Sequence, residues 1–274
     1  MQRWETGGGP HGEAPPAVLI LYAGPTERHD SMARILRALG LRVVEIDTKV
    51  GGAAHDVTRK EVQEELLARI RAGEFAFVFA APPCQSYSVA HRPRLRSTEH
   101  PEGLPEVPRE WQAYLCKHNS ITAFTVRAIR AIHEAGGAAA AENPAARDAG
   151  VAFWRRHREQ GTLWHVQGVR ALELRLFTCA QCAFGAPHQK WTTVGVSPSA
   201  AKWFSPMADF KCQIAATGGR HADVAHGRDD SGASKAERAA AYPRRMNVFI
   251  AAAIVCATSE RNGGGEGGRV ADGP

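Results

Sequence analysis

The chain contains no long apolar run. No stretch approaches the roughly 18 consecutive apolar residues that a membrane-crossing helix needs, and the opening residues "MQRWETGGGPHGEAPP" supply neither the basic n-region nor the apolar h-region of a secretory leader. No membrane partner is expected, and the expected location is intracellular, nuclear if the source is eukaryotic. Outside an oxidising compartment, the six cysteines are expected as reduced thiols, available for chemistry or metal rather than for disulfides. Large apolar groups are nearly missing at both ends. Residues 1–16 and 259–274 ("SERNGGGEGGRVADGP") are rich in Gly and Pro and cannot repay the entropy of ordering, so both read as disordered tails. No internal repeat is visible.

What is present suits one sizeable core. The 274 residues are 44% apolar, and periodicity fills most of 17–258, which reads as a single domain and a monomer. The formal charge of +6 and pI near 9.2 suit a polyanionic partner, although many basic proteins bind no nucleic acid. "AVLILYA" (17–23), "LRVVEID" (41–47), "FAFVFA" (75–80), "GGAAAAENP" (136–144), 172–179 and 191–196 read as strands. Between them, 30–39, 58–73, roughly 111–135, 148–160 and roughly 235–257 read as helices, with Pro243 breaking or offsetting the first turns of the last one. This alternation predicts an α/β fold, Rossmann-like, with a mainly parallel sheet and helices on both faces. The stretch 88–110 is polar, rich in Pro and Arg, and too long for an ordinary connection.

In an open parallel sheet, ligands bind beyond the carboxyl ends of the strands. The residues found there are Gly24, Glu45 and Asp47, then Asp56, Cys84, and the pair Glu142–Asn143. Gly24 permits a tight turn and close ligand approach. An acid about 20 positions on, such as Glu45, is placed to accept from ribose hydroxyls. Cys84 follows two prolines in "PPCQS". A free cysteine is often a small buried apolar group, but this one is held on a stiffened backbone at a strand end. Glu142 could be a cap or ion-pair partner. Set after four alanines with limited solvent, it could also hold a proton near neutral pH. Together the two offer a nucleophile and an acid.

These residues resemble the cytosine-5 DNA methyltransferase family, over about residues 17–196 with a weaker echo in the last helix. "LYAGP" resembles the family's glycine loop for S-adenosylmethionine, which implies Tyr22 and Gly24 at that cofactor. "VEID" implies Glu45 on its ribose, "HDVT" implies Asp56 near its adenine, and Pro82 would line the same pocket. "PPCQSYS" matches the Pro-Cys-Gln nucleophile motif, "ENP" stands where the family has Glu-Asn-Val, and "FGAPHQKWTTV" resembles its Gly-x-Pro-Gln-x-Arg-x-Arg strand pair. The resemblance implies a seven-stranded class I methyltransferase sheet. It also implies methyl transfer to carbon 5 of cytosine in DNA through a covalent Cys84 adduct, with Glu142 and Lys190 in the catalytic set. Gln85, Ser88, Arg92, Arg94 and Arg96 would then touch nucleic acid, the arginines on phosphates from a closing loop. The alternatives are the same chemistry on RNA, or a degenerate fold that binds nucleic acid without turnover.

The chain departs from the family pattern in several places. Thr26 stands where the glycine loop has its second glycine; His188, Lys190 and Thr192 stand where the family has Gln-x-Arg-x-Arg. Lys190 can replace the first arginine only as a point charge. About 40 residues (197–234) remain for a target-recognition lobe, which makes this resemble a short, divergent member of phage or mobile-element type. "APPC" lacks the leading Asp, Asn or Ser and the aromatic residue that hold a flipped adenine, which argues against that target. Cys179, Cys182, Cys212 and His221 could form a tetrahedral zinc site, but 29 residues separate the pairs, long for a zinc ribbon. The expectation is no metal, with these four as the candidates.

Overall fold

Ala17–Leu21 form β1, and all five residues are buried, as a strand covered on both faces requires. The structure is a computed structural model and describes residues 17–24, 28, 30–89, 91–145, 157–223, 227–228, 231–232 and 235–263. Met32–Ala38 (α1) starts at Ser31, whose Oγ accepts from the Arg34 amide, an N-cap satisfying an otherwise unpaired donor. Next come β2 (Val43–Ile46), the short α2 (Thr48–Gly51), α3 (Lys60–Arg71) and β3 (Phe75–Ala80). In α3, Val62, Leu66, Leu67 and Ile70 are buried at helical spacing, and the chain leaves through Gly73 at φ +77°.

The 26-residue α4 (Arg109–Glu134) leads to β4 (Ala138–Pro144). Then follow α5 (Gln167–Arg170), β5 (Arg175–Ala180), β6 (Trp191–Val196), α6 (Ala201–Phe204), α7 (Gln213–Ala216), α8 (Lys235–Arg238) and α9 (Arg244–Gly263). Pro243 immediately precedes α9 and separates it from α8, so the expected single helix is divided there. Helix α9 also runs to Gly263, into a stretch expected to be a disordered tail. Residues 146–156, which carry most of the helix expected over 148–160, and Thr26 lie outside the described residues.

The sheet has six strands in the order β2-β1-β3-β4-β6-β5. β1 pairs in parallel with β2 and β3, and β3 with β4, whereas β6 runs antiparallel to β4 and β5. The six strands read from apolar runs are all present. The seventh, which only the family resemblance implied, is not found among the described residues. Between Ile46 and Lys60 the chain makes α2 and a one-turn helix, Gly52–His55, leaving no extended stretch to add to the edge.

Two buried apolar clusters cover the two faces. One joins α3, α4 and the Leu163–Val166 turn to the sheet. The other joins α1, α6 and α9 to Val18, Ile20, Phe77 and Phe79. The first half of the segment 197–234 belongs to this second cluster: Ala200, Phe204 and Met207 are fully buried, and Phe204 stacks on Phe77 at 6.2 Å. Among the described residues no helix is long and apolar enough to cross a membrane.

Candidate active site

Strand order reverses at β1, which has β2 on one side and β3 on the other. The crevice beyond their carboxyl ends is where such sheets bind ligands. Cys84 is carried there by β3. The Ala81 amide extends the pairing to Leu21 O (3.2 Å), and the carbonyl of Pro82 accepts from Asn143 Nδ2 (3.0 Å), tying this crossing to β4. Pro82 is therefore a buried part of the Cys84 mounting. Cys84 ends the extended run at φ −93°, ψ −4° and opens the helical turn Gln85–Tyr87. Burial pushes its thiol pKa above the ordinary cysteine value; the positive charge of Lys190 pulls it down and Glu142 pushes it up. Thiol, ammonium and carboxylate thus share one field.

Glu142 lies inside β4 rather than beyond its end, because β6 continues the pairing through Pro144 and Thr192. Its side chain is 6% exposed. Thr192 Oγ1 donates to Oε1 (2.9 Å) and the Tyr242 hydroxyl donates to Oε2 (2.7 Å). Gln181 Nε2 in turn donates to Thr192 Oγ1 (3.1 Å). Burial, then the adjacent carboxylate, holds the Tyr242 phenol far above its ordinary pKa, so it remains a donor. Thr192, noted in sequence only as a lost arginine, is thus a direct partner of Glu142. Tyr242 was missed altogether, since its hydroxyl meets Glu142 across 100 residues and nothing local marks it. Lys190 is held by the Ala239 carbonyl at 3.1 Å.

At the first strand end, Gly24 adopts φ +71°, and a β-carbon built on it would meet nothing within 4 Å. Its amide donates to Asp47 Oδ2 (2.9 Å), and the Lys49 amide donates to Oδ1 (2.8 Å). The acid at the glycine turn is therefore Asp47. Glu45 sits one step back within β2 and pairs with Arg37 Nη2 at 2.7 Å. Asp56 accepts from the Thr58 amide (3.0 Å) and hydroxyl (2.7 Å), bonds that hold its pKa below the usual range. Tyr22 has φ 65°, and its hydroxyl turns to helix α4, against Thr125 Oγ1 (2.9 Å) and Ile121 O (3.3 Å). The carboxylates around this open glycine turn thus each accept hydrogen bonds from the chain itself.

The residues expected on nucleic acid divide into two groups. Arg92 and Arg94 are exposed, the latter pairing with Glu159 at 3.3 Å. They line a cleft of about 210 Å³ with Val89, His157, Glu159 and Gln160. Gln85 is exposed and Ser88 half-buried. Arg96 is a correction: it is fully buried, stacked over the Tyr87 ring at 4.1 Å. It donates to Ser86 Oγ (3.1 Å) and Pro101 O (2.6 Å). In this arrangement it pins the loop and reaches no phosphate. Beside it, His91, Trp111, Tyr114 and His118 form a contiguous ring group, with Tyr114 and His118 centroids 4.3 Å apart. Burial, reinforced by Arg96, lowers the His118 pKa to about 4, so it is neutral at pH 7.

Three of the four candidate metal ligands come together. The donor atoms of Cys182, Cys212 and His221 lie within 4.8 Å of one another, with Cys212 Sγ 3.3 Å from His221 Nε2. Cys179 stays apart, fully buried in β5, its thiol pushed up to about 12 by burial and then by Glu142. All six cysteines are free thiols.

No protein-family profile and no curated protein matches the chain. Among solved structures, the crystal structure of S. pombe Dnmt2 methyltransferase is similar over 66% of this chain and 48% of that one, at 12% identity and TM-score 0.36. The chain spans about half the length of that protein, and at this TM-score the likeness carries no functional argument.

Proposed function

We propose that this protein is an S-adenosylmethionine-dependent methyltransferase acting on carbon 5 of cytosine in DNA. The observation that carries the reading is the proline-mounted Cys84 at the carboxyl end of β3, beside β4, where both oxygens of Glu142 are fixed by Thr192 and Tyr242. A cysteine in a merely structural role needs no such company. The Gly24 turn, Asp47, Asp56 and Glu45, once released from Arg37, would hold the cofactor, which when bound supplies an electrophilic methyl on a sulfonium.

The chain's own residues do the rest. The Cys84 thiolate adds to carbon 6 of the ring, forming a carbon–sulfur bond and making carbon 5 enamine-like. Glu142 binds the ring-nitrogen edge, where the π electrons shift, and Lys190 offers a positive charge to the base oxygen while favouring the thiolate. With a methyl on carbon 5, passage of that carbon's proton to solvent and breaking of the carbon–sulfur bond would restore the ring and return the Cys84 thiolate. The base must leave the helix stack first, at about a few kcal/mol. The exposed Arg92 and Arg94 would take phosphates as it does so.

A 5-fluorocytosine oligonucleotide tests this directly, because fluorine cannot leave as a proton and the adduct is trapped. Wild-type protein with S-adenosylmethionine should form a covalent species by mass spectrometry, and Cys84→Ser should form none while retaining cofactor binding. Adducts only on an RNA oligonucleotide would reassign the substrate. Adducts retained by Cys84→Ser would end the covalent mechanism.

A further inference from the structure

We propose that Cys182, Cys212 and His221 bind a zinc ion that clamps residues 211–223 to the turn between β5 and β6. The two sulfurs and one imidazole nitrogen lie within 4.8 Å of one another. Zinc bonds of about 2.3 Å to sulfur and 2.0 Å to nitrogen at tetrahedral angles place S···S near about 3.8 Å and S···N near about 3.5 Å. The donors therefore need to move by less than about an ångström to enclose the ion. Two thiols and an imidazole form a soft donor set that suits zinc and excludes magnesium or calcium.

The cluster also lies where the fold has little else to hold it. Among the described residues between Met207 and Ala239, Cys212 is the one buried apolar side chain. The strap is anchored at its two ends, by the Phe210 ring stacked on Phe184 at 4.1 Å and by Asp223, whose amide donates to Pro187 O (3.0 Å) and whose carboxylate pairs with Lys235 (2.8 Å). A segment without a core of its own is what a structural metal stabilises in small scaffolds. Each half of the cluster is shaped by a left-handed glycine turn, Gly185 (φ +97°) after Cys182 and Gly218 (φ +73°) before His221. His188, on the turn leading to β6, is 9% exposed and has no partner at Nε2, but it lies outside the cluster of three donors.

The clamp connects to the candidate active site through adjacent backbone. Cys182 follows Gln181, whose amide donates to the Lys190 carbonyl (2.9 Å) and whose side-chain Nε2 donates into the Thr192–Glu142 chain. Its metal chemistry nevertheless stands independently of any methyl transfer.

The test uses the full chain without a polyhistidine tag, purified under reducing conditions, loaded with zinc and desalted. Elemental analysis should find about one zinc per chain. Cobalt loading should give the intense visible bands and thiolate charge-transfer absorption of a tetrahedral sulfur site. The Cys182→Ser/Cys212→Ser double variant should lose both, whereas Cys116→Ser and Cys256→Ser should keep them. If the double variant folds poorly, the wild type still decides: chelation should speed limited proteolysis within 211–223 several-fold, and zinc should reverse it. Wild-type protein that retains no zinc, metal retained by the double variant, or proteolysis indifferent to zinc would each overturn the proposal.

Discussion

Lys190 is the residue whose charge most directly favours the reactive form of Cys84. Burial raises the thiol pKa, Glu142 adds to the rise, and Lys190 opposes both. The protonated thiol is unreactive, so adduct formation should increase as pH rises through this elevated value. Without the ammonium, burial and the neighbouring Glu142 both favour the neutral thiol. Lys190→Met should therefore shift the pH–rate curve for 5-fluorocytosine trapping to higher pH, and a curve left in place would mean that Lys190 does not act on Cys84. The same residue scale explains why Tyr242 matters: its phenol cannot ionise beside Glu142, so it remains a fixed donor.

At the scale of elements, the loop from 88 to 108 shows how like residues separate by environment. Leu95 and Arg96 are buried while Arg92 and Arg94 face solvent. Arg96→Met removes two charged hydrogen bonds and a stacked guanidinium, and should destabilise the chain by about 2–3 kcal/mol in urea unfolding. Arg92→Gln/Arg94→Gln should alter stability by less than about 0.5 kcal/mol and, under the proposed function, flatten the salt dependence of binding to a DNA duplex. Each lost phosphate contact lowers the log–log slope by about 0.9. An unchanged slope would remove the loop from the binding face. β6 makes a comparable distinction: Gly195 leaves room for Trp164, whose ring carbon Cζ3 would lie 2.6 Å from an added β-carbon.

The whole molecule is a sheet covered on both faces, and the second face depends on a segment that the sequence suggested was a reduced lobe. Phe204 is fully buried against Phe77 in that cluster. Phe204→Ala should cost about 3–5 kcal/mol, the range for deleting a buried aromatic ring. It should unfold the domain in one transition; a loss confined to a local step would show that 197–210 is a separable lobe.

The sequence by itself determined the elements whose signal is local. β1 and β3 are written as unbroken apolar runs, α3 as a helical stripe, and Gly24 as a turn, since each depends on side chains near in sequence. It also marked Cys84 and Glu142, because a proline-mounted thiol and a carboxylate after four alanines are unusual where they stand. The tertiary structure decided what depends on distant partners. The family resemblance suggested a seventh strand, whereas the described residues form a sheet of six. Arg96 carries the same charge as Arg94, but the Tyr87 ring and the Pro101 carbonyl claim it. Asp47, at the end of β2, meets Gly24, while Glu45, in register with Ile20, pairs with Arg37 on α1. Tyr242 reaches Glu142, and Cys182 reaches Cys212 and His221, only once β6 has folded back antiparallel on β4. Local backbone preference and apolar spacing are legible one residue at a time; a hydrogen bond or a ligand cluster needs two places in the chain, and only the fold brings them together.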